Sequence, residues 1–330
     1  MPGSLLIVTP YLAGANNGNW RTALRWSKLL TPAWQAILQA ADAPVTGGSC
    51  DGAAALIALH ARRSRAAIAA WKRARPDQAL IVALTGTDLY HDVPAEDADT
   101  LASIADADRL IVLQADAIDH VPRESREKVR VVYQSARSLQ PFEHKPSSRL
   151  DCVFVSHLRD EKDPATMFAA WRKLPPCLPA TLTIYGEALD ASLGAAAIKL
   201  AGDDARVRYL GAKKHAHVRQ AIKRAHVLIV SSRMEGGANV VVEAITAGTP
   251  VIASRMSGNI GMLGRDYPAL FDVGDAAGLA AMVTSAHVDR EFLRTLQARC
   301  GVLAPRFAPE CERAALLDVV AELKATSPVE

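Results

Sequence analysis

Two carboxylates, Glu235 and Glu243, stand with seven residues between them in the stretch Ser231-Ser-Arg-Met-Glu235-Gly-Gly-Ala-Asn-Val-Val-Val-Glu243-Ala-Ile-Thr-Ala-Gly248-Thr-Pro250-Val. An ionised carboxylate accepts hydrogen bonds and donates none, which suits a ligand rich in hydroxyls. Gly236 and Gly237 let the backbone come close to such a ligand. A helical pattern starts near Asn239. The amides of its first turn, at Asn239 and Val240, would bind an anion or sugar oxygens with help from the helix dipole. Gly248-Thr-Pro250 ends that helix. A bare Glu-x7-Glu is more often a loop glutamate and a helix-surface glutamate. Here a buried strand, a Gly-Gly turn and the Gly-x-Pro tail accompany it.

Cations are needed wherever a leaving group gathers negative charge. The run Cys152-Val-Phe-Val-Ser156-His157-Leu-Arg159-Asp-Glu-Lys162 supplies three candidates, His157, Arg159 and Lys162. Taken alone, Lys162 reads as a surface lysine at a helix entrance, and Arg159 as half of a solvated ion pair with Asp160 or Glu161. Gly186 and Ala212 follow two further apolar runs and are candidate lining positions, with ordinary strand-to-helix turns as an equal reading.

The first half carries a different chemistry. Thr9-Pro-Tyr-Leu-Ala-Gly14-Ala-Asn16-Asn17-Gly18-Asn19-Trp20-Arg21 brings three asparagines, two glycines and an arginine to a helix entrance. Amides, dipole and Arg21 together suit a small anion. Asn19 as a helix cap is the plain alternative, and it leaves Asn16 and Asn17 unexplained. In Thr85-Gly-Thr-Asp88-Leu-Tyr90, Asp88 would accept from a hydroxyl or organise Arg21, or else cap a turn. His60 ends a strand pattern and is either a lining residue or a satisfied strand end. None of these loops holds an Asp-x-Asp pair, so no essential metal is expected, and no cofactor.

The elements that position these residues follow from short apolar runs: 5–9, 54–59, 80–84, 109–113 and 129–133, then 152–155, 182–185, 207–210, 227–230 and 251–253. Runs of this length without alternation read as strands buried on both faces. Helical patterns lie between them, at 20–30, 61–75, 166–173, 218–224 and 240–247. The alternation predicts parallel sheets covered by helices on both faces. It breaks once, over the polar segment 134–150 with Pro141 and Pro146, which reads as a linker. Two doubly wound Rossmann-like domains are expected, 1–140 and 141–330. A C-terminal helix at about 308–325 is free to return to the first. Ligands of such sheets bind beyond the carboxyl ends of the strands, so the expected site lies in a cleft between the domains.

Composition agrees with this picture: 330 residues, 50% hydrophobic, 22% charged and a net charge of +3. Such a small charge argues against nucleic acid or an anionic membrane as partner. No leader and no membrane-spanning run is evident, and the five scattered cysteines form no metal or disulfide pattern. A cytoplasmic location is expected. The oligomeric state cannot be read.

The carboxylate stretch and the segment ending in Lys162 resemble retaining glycosyltransferase family 4, and the resemblance extends over nearly the whole chain. It implies a GT-B fold and transfer from a UDP-sugar. By that match Glu235 and the amides of Gly236, Gly237, Asn239 and Val240 hold the donor sugar. Glu243 holds the nucleotide ribose, and Lys162 the diphosphate. The family's glycine and arginine after the first strand of the second domain are Ser156 and His157 here. Diphosphate binding would then fall to His157 or to Arg159, alongside Lys162. Gly14 or Gly18 matches the loop that covers the donor phosphate. The family histidine ahead of the second acceptor loop is Thr85.

Asn16 to Trp26, Thr85 to Tyr90 and the carboxylate stretch are similar to one subgroup, the selenosugar synthases of selenoneine biosynthesis. That implies selenophosphate as acceptor, held by Asn16, Asn17, Gly18, Asn19, Arg21, Thr85 and Asp88. Other readings stand beside it: a family 4 enzyme with a lipid or glycan hydroxyl as acceptor, a sugar-nucleotide epimerase, and a catalytically inactive binding module.

Overall fold

The computed structural model describes residues 3–10, 12 and 18–324. The chain divides into two compact units, Met1–Gln134 with Pro309–Glu330, and Ser135–Ala308.

The first unit begins with β1 (Gly3–Thr9), α1 (Gly18–Leu30), β2 (Trp34–Ala40), β3 (Ala53–Leu59), α2 (Arg65–Ala74) and β4 (Ala79–Ala83). It continues with α3 (Ala98–Asp106), β5 (Arg109–Val112) and β6 (Val129–Val131). The six strands are parallel, in the order β2-β1-β3-β4-β5-β6. Along β1 the side chains alternate between the two faces of the sheet. Leu5 and Ile7 pack with Trp26 and Leu30 of α1, whereas Leu6 and Val8 join Ile68 and Trp71 of α2 and Ile104 of α3. Both faces are thus covered, as apolar runs without alternation require.

The second unit holds β7 (Leu150–Val155), α4 (Pro164–Lys173), β8 (Ala180–Tyr185), α5 (Ala191–Asp203), β9 (Val207–Tyr209) and α6 (His215–Arg224). There follow β10 (Val227–Val230), α7 (Asn239–Ile245), β11 (Val251–Ser254), α8 (Ser257–Leu263), β12 (Leu270–Phe271), α9 (Ala276–Val288) and α10 (Arg290–Leu303). Its sheet is also parallel, in the order β12-β11-β10-β7-β8-β9. From β7 the chain winds one way through β8 and β9, then returns to the other side of β7 with β10. The reversal lies between β7 and β10, where doubly wound sheets take their ligands.

The last helix, α11 (Pro309–Lys324), belongs to the first unit. Leu316, Val319, Val320 and Leu323 complete the core under α1. Glu312, 1% exposed, accepts from Trp26 Nε1 at 2.7 Å and Arg25 Nε at 2.8 Å. These bonds compensate the burial of its charge and fix where α11 docks.

Three sequence expectations need adjustment. The segment 135–149 has no regular structure, but it is strapped to the second unit. Ala136 N donates to Phe307 O at 3.1 Å, Leu139 N to Thr246 O at 2.9 Å, Arg219 to Arg137 O at 2.6 Å and Lys145 Nζ to Ala225 O at 2.6 Å. The division therefore falls after Gln134 rather than after residue 140. Each sheet also has one strand more than the apolar runs suggest. Pro32 stops α1, and Trp34 opens the edge strand β2, where no apolar run was marked. β12 is two residues long and too short to carry a pattern.

Candidate functional site

The reversal point brings two loops side by side, the one leaving β7 and the one leaving β10. Ser231 Oγ donates to the carbonyls of Lys162 at 3.0 Å and Asp163 at 2.7 Å, and Arg233 N donates to Glu161 O at 2.9 Å. Asp163 takes a left-handed φ of 43° and caps α4 through Thr166. Arg233 Nε stands 3.2 Å from Oδ2 of that carboxylate, which also accepts from Thr166 Oγ1, and the hydrogen bond to Asp163 raises the guanidinium pKa. The cap thereby holds the single 3-10 turn Asp160–Lys162 against the β10 loop.

Lys162 and Glu235 meet there. Lys162 Nζ lies 2.5 Å from Glu235 Oε1, which also accepts from Ser232 Oγ at 2.8 Å. The two side chains are 18% and 10% exposed, so they interact in surroundings far less polar than water. Behind them Ser254 Oγ donates to Ser232 O. Gly258 of α8 presses so close that a Cβ on it would sit 2.1 Å from Glu235 O. The Glu235 backbone is thus fixed from below by a residue that has no side chain. Gly236 and Ala238 are buried while Gly237, Asn239 and Val240 are half-buried, and no side chain caps the start of α7.

Glu243 lies further along α7, 14% exposed, with Oε1 2.5 Å from His215 Nε2 at the start of α6. Its carbonyl accepts from Arg219 at 2.6 Å. Burial lowers the Arg219 pKa. The two glutamates keep the separate partners that an extended ligand with two hydroxyl-bearing parts would need.

His157 leaves β7 beside the β8 loop, where its Nδ1 accepts from Glu187 N at 3.2 Å. Gly186 makes that contact feasible. With φ 143°, a Cβ there would lie 1.7 Å from Ser156 O. Gly186 N donates to Gly211 O at 3.0 Å, which sets Ala212 next to this loop. Arg159 points elsewhere. It pairs with Glu161 at 3.6 Å and is about half exposed.

On the first unit, Gly14, Asn16 and Asn17 fall outside the described residues. Gly18 opens α1, so Asn19 sits inside its first turn and is not the cap; Arg21 follows in the same turn. Thr85 and Asp88 are adjacent. Asp88 is fully buried, and its Oδ2 accepts from Thr85 N at 2.7 Å and Oγ1 at 2.9 Å.

Ser232, His215, Arg219 and Gly258 escaped the sequence reading. Ser232 lay within the quoted motif and could have been picked up from its spacing to Glu235. His215 and Gly258 are brought in by packing alone, and no local signal marks them.

Residues 136–300, half of the chain, match the family described as Glycosyl transferases group 1, and the chain belongs to this family of enzymes. Anabaena Alr3699/HepE in complex with UDP-glucose superposes with a TM-score of 0.77 at 15% identity, over 97% of this chain and 100% of that one. The sucrose-phosphate synthase of Thermosynechococcus elongatus gives a TM-score of 0.76 at 17% identity, over 98% and 100%. A glycosyltransferase of Rickettsia africae gives 0.75 at 11%, over 99% and 100%. At these identities the likeness establishes the fold, which is GT-B. No curated protein matches the sequence significantly. No described helix is long and apolar enough to cross a membrane.

Proposed function

We propose that this glycosyltransferase moves a sugar, from UDP-N-acetylglucosamine or UDP-glucose, to selenophosphate with retention of configuration. The observation that carries the donor half is the Lys162–Glu235 pair at the reversal point, 2.5 Å apart. Glu235 would hold sugar hydroxyls and Lys162 the diphosphate, with His157 the second cation. Arg159 would have to leave Glu161 to join them. Glu243 would hold the ribose. The acceptor half rests on the resemblance of residues 16–26 and 85–90 to selenosugar synthases. A small, strongly nucleophilic anion needs little base catalysis, which fits Thr85 standing where a histidine is usual.

In this reading selenium forms the bond to C1 on the face that UDP leaves, and UDP departs with the electron pair of the C1–O bond. Water then hydrolyses the Se–P bond, and the products are a 1-seleno-sugar, UDP and phosphate. Catalysis is electrostatic stabilisation and positioning, with no enzyme nucleophile and no metal. The reaction would take place in the cytoplasm. The test incubates the purified protein with each UDP-sugar and selenophosphate and follows UDP and the selenium isotope pattern of the product by mass spectrometry. Turnover with a hydroxyl acceptor but none with selenophosphate would refute the acceptor assignment. A Glu235→Ala variant that keeps full turnover would refute the donor site.

A further inference from the structure

A second cluster of chemical groups lies in the first unit, beyond the carboxyl ends of β3 and β4. One ring nitrogen of His60 and one oxygen each of Asp88 and Asp92 all lie within 4.8 Å of one another, and all three residues are buried. His60 directly follows β3 and is held at φ 72°. The two aspartates begin and end one π-helical turn, Asp88–Asp92. That turn is closed by Val93 N donating to Asp88 O at 2.9 Å and Asp97 N to Asp92 O at 3.0 Å.

The outer oxygens of both carboxylates are committed. Thr85 holds Asp88 Oδ2, and His91 Nδ1 lies 2.8 Å from Asp92 Oδ1. The inner atoms are not satisfied. Asp88 Oδ1 receives only a long 3.4 Å bond from Arg62 N. His60 Nδ1 and Asp92 Oδ2 are enclosed and make no hydrogen bond to any described residue, although His60 is 3% and Asp92 0% exposed. His60 Nδ1 stands 2.6 Å from Asp88 Oδ1, yet off the N–H axis of the ring, so the contact is close without being a hydrogen bond. Arg62 Nε, 3.3 Å from Asp92 Oδ2, is likewise misaligned, and its side chain is 37% exposed and able to swing away.

Buried polar atoms are rarely left unsatisfied. A cation between the three inner atoms would satisfy them together. One imidazole nitrogen and two carboxylate oxygens, each carboxylate oriented by a hydrogen bond to its other oxygen, form an N/O donor set suited to zinc or manganese.

We infer that His60, Asp88 and Asp92 bind one divalent transition-metal ion. It would tie the end of β3 to the π-helical turn and so fix the Thr85 loop. The site shares Asp88 with the acceptor segment 85–90, but it is independent of the donor residues of the second unit and does not rest on the reaction proposed above.

The test uses the full-length chain carrying Cys177→Ser and Cys311→Ser, which removes the two exposed thiols. The protein is stripped of metal, dialysed against zinc and, separately, manganese, and analysed for bound metal; cobalt absorption reports the ligand type. One equivalent is expected in this parent, with affinity at least about tenfold lower in Asp92→Asn and His60→Gln. Absence of stoichiometric binding in the parent would overturn the inference. So would equal affinity in Asp92→Asn, judged on protein shown folded by circular dichroism. If His60→Gln does not fold, the parent and Asp92→Asn decide the matter.

Discussion

Gly258→Ala is the sharpest probe of the donor site, because the substitution adds one methyl group to a residue packed against the Glu235 backbone. Gly258 is buried in the first turn of α8, and its added Cβ would lie 2.1 Å from Glu235 O, 2.8 Å from Glu235 Cβ and 2.9 Å from Glu235 C. Real Cβ atoms stay beyond 3.0 Å, so the Glu235 backbone and α8 must separate by at least 0.9 Å. The clashing atoms are mainly backbone, and no flexible side chain can relieve the contact. Overpacking of this kind costs about 1–3 kcal/mol of stability. The functional cost is larger in proportion. A misplacement of about 1 Å in a group that positions a reactant lowers the rate by on the order of 10²-fold.

The expected result is therefore a fall of that size in kcat/KM for UDP release, in a protein that still unfolds cooperatively. The control is Gly202→Ala in α5, where an added Cβ meets nothing within 4 Å. It should leave turnover unchanged and raise helix stability by a few tenths of a kcal/mol, up to about 1 kcal/mol. Wild-type kcat/KM in Gly258→Ala would refute the reasoning. If stability fell alone, Glu235 would not be where the sugar is held.

Two further predictions concern α11. The Glu322 pKa is lowered from 4.5 to about 2, first by the hydrogen bond from Arg130 and then by that from Arg109. Its contribution is thus complete above pH 4.5 and disappears as pH falls through about 2. The side chain is 34% exposed, so solvent screening leaves about 1 kcal/mol of the roughly 3 kcal/mol such a shift implies. Glu322→Gln should flatten urea-derived stability between those pH values, and an unchanged slope would show that the pairing is idle. Glu312→Ala removes the buried acceptor of Trp26 and Arg25 and should cost about 3–5 kcal/mol in denaturant unfolding. A loss under about 1 kcal/mol would show that α11 is held by its apolar face alone.

The fold was legible because buried parallel strands leave a simple trace. A strand covered on both faces must be apolar throughout, and ten such runs fall within observed strands or overrun them by one or two residues. Edge strands escape this logic. β2 is partly open on both faces, so Gln35 and Gln39 dilute its pattern and no apolar run marks it. The division between units was misplaced for a related reason. A polar segment without periodicity looks free, yet its backbone groups still need partners, and those of Ala136 and Leu139 find them in the second unit.

The site was legible only where it is local in the chain. Glu235 and Lys162 were named from their own neighbourhoods, and the sheet reversal places them in contact. Neither neighbourhood shows that they neutralise one another before any ligand binds. That pairing has a consequence for the proposed donor site. A lone Lys162 would be free to choose among rotamers, and a lone Glu235 would be half-buried and charged without a partner. Together, with Ser232 as third member, they hold each other in a single arrangement. A sugar nucleotide would replace each partner by its own group, phosphate oxygen for carboxylate and hydroxyl for ammonium. Little side-chain entropy remains to be lost at that step, which is the benefit of preorganisation. Lys162 borders a helix entrance as expected, but the β10 loop closes over it and leaves it 18% exposed.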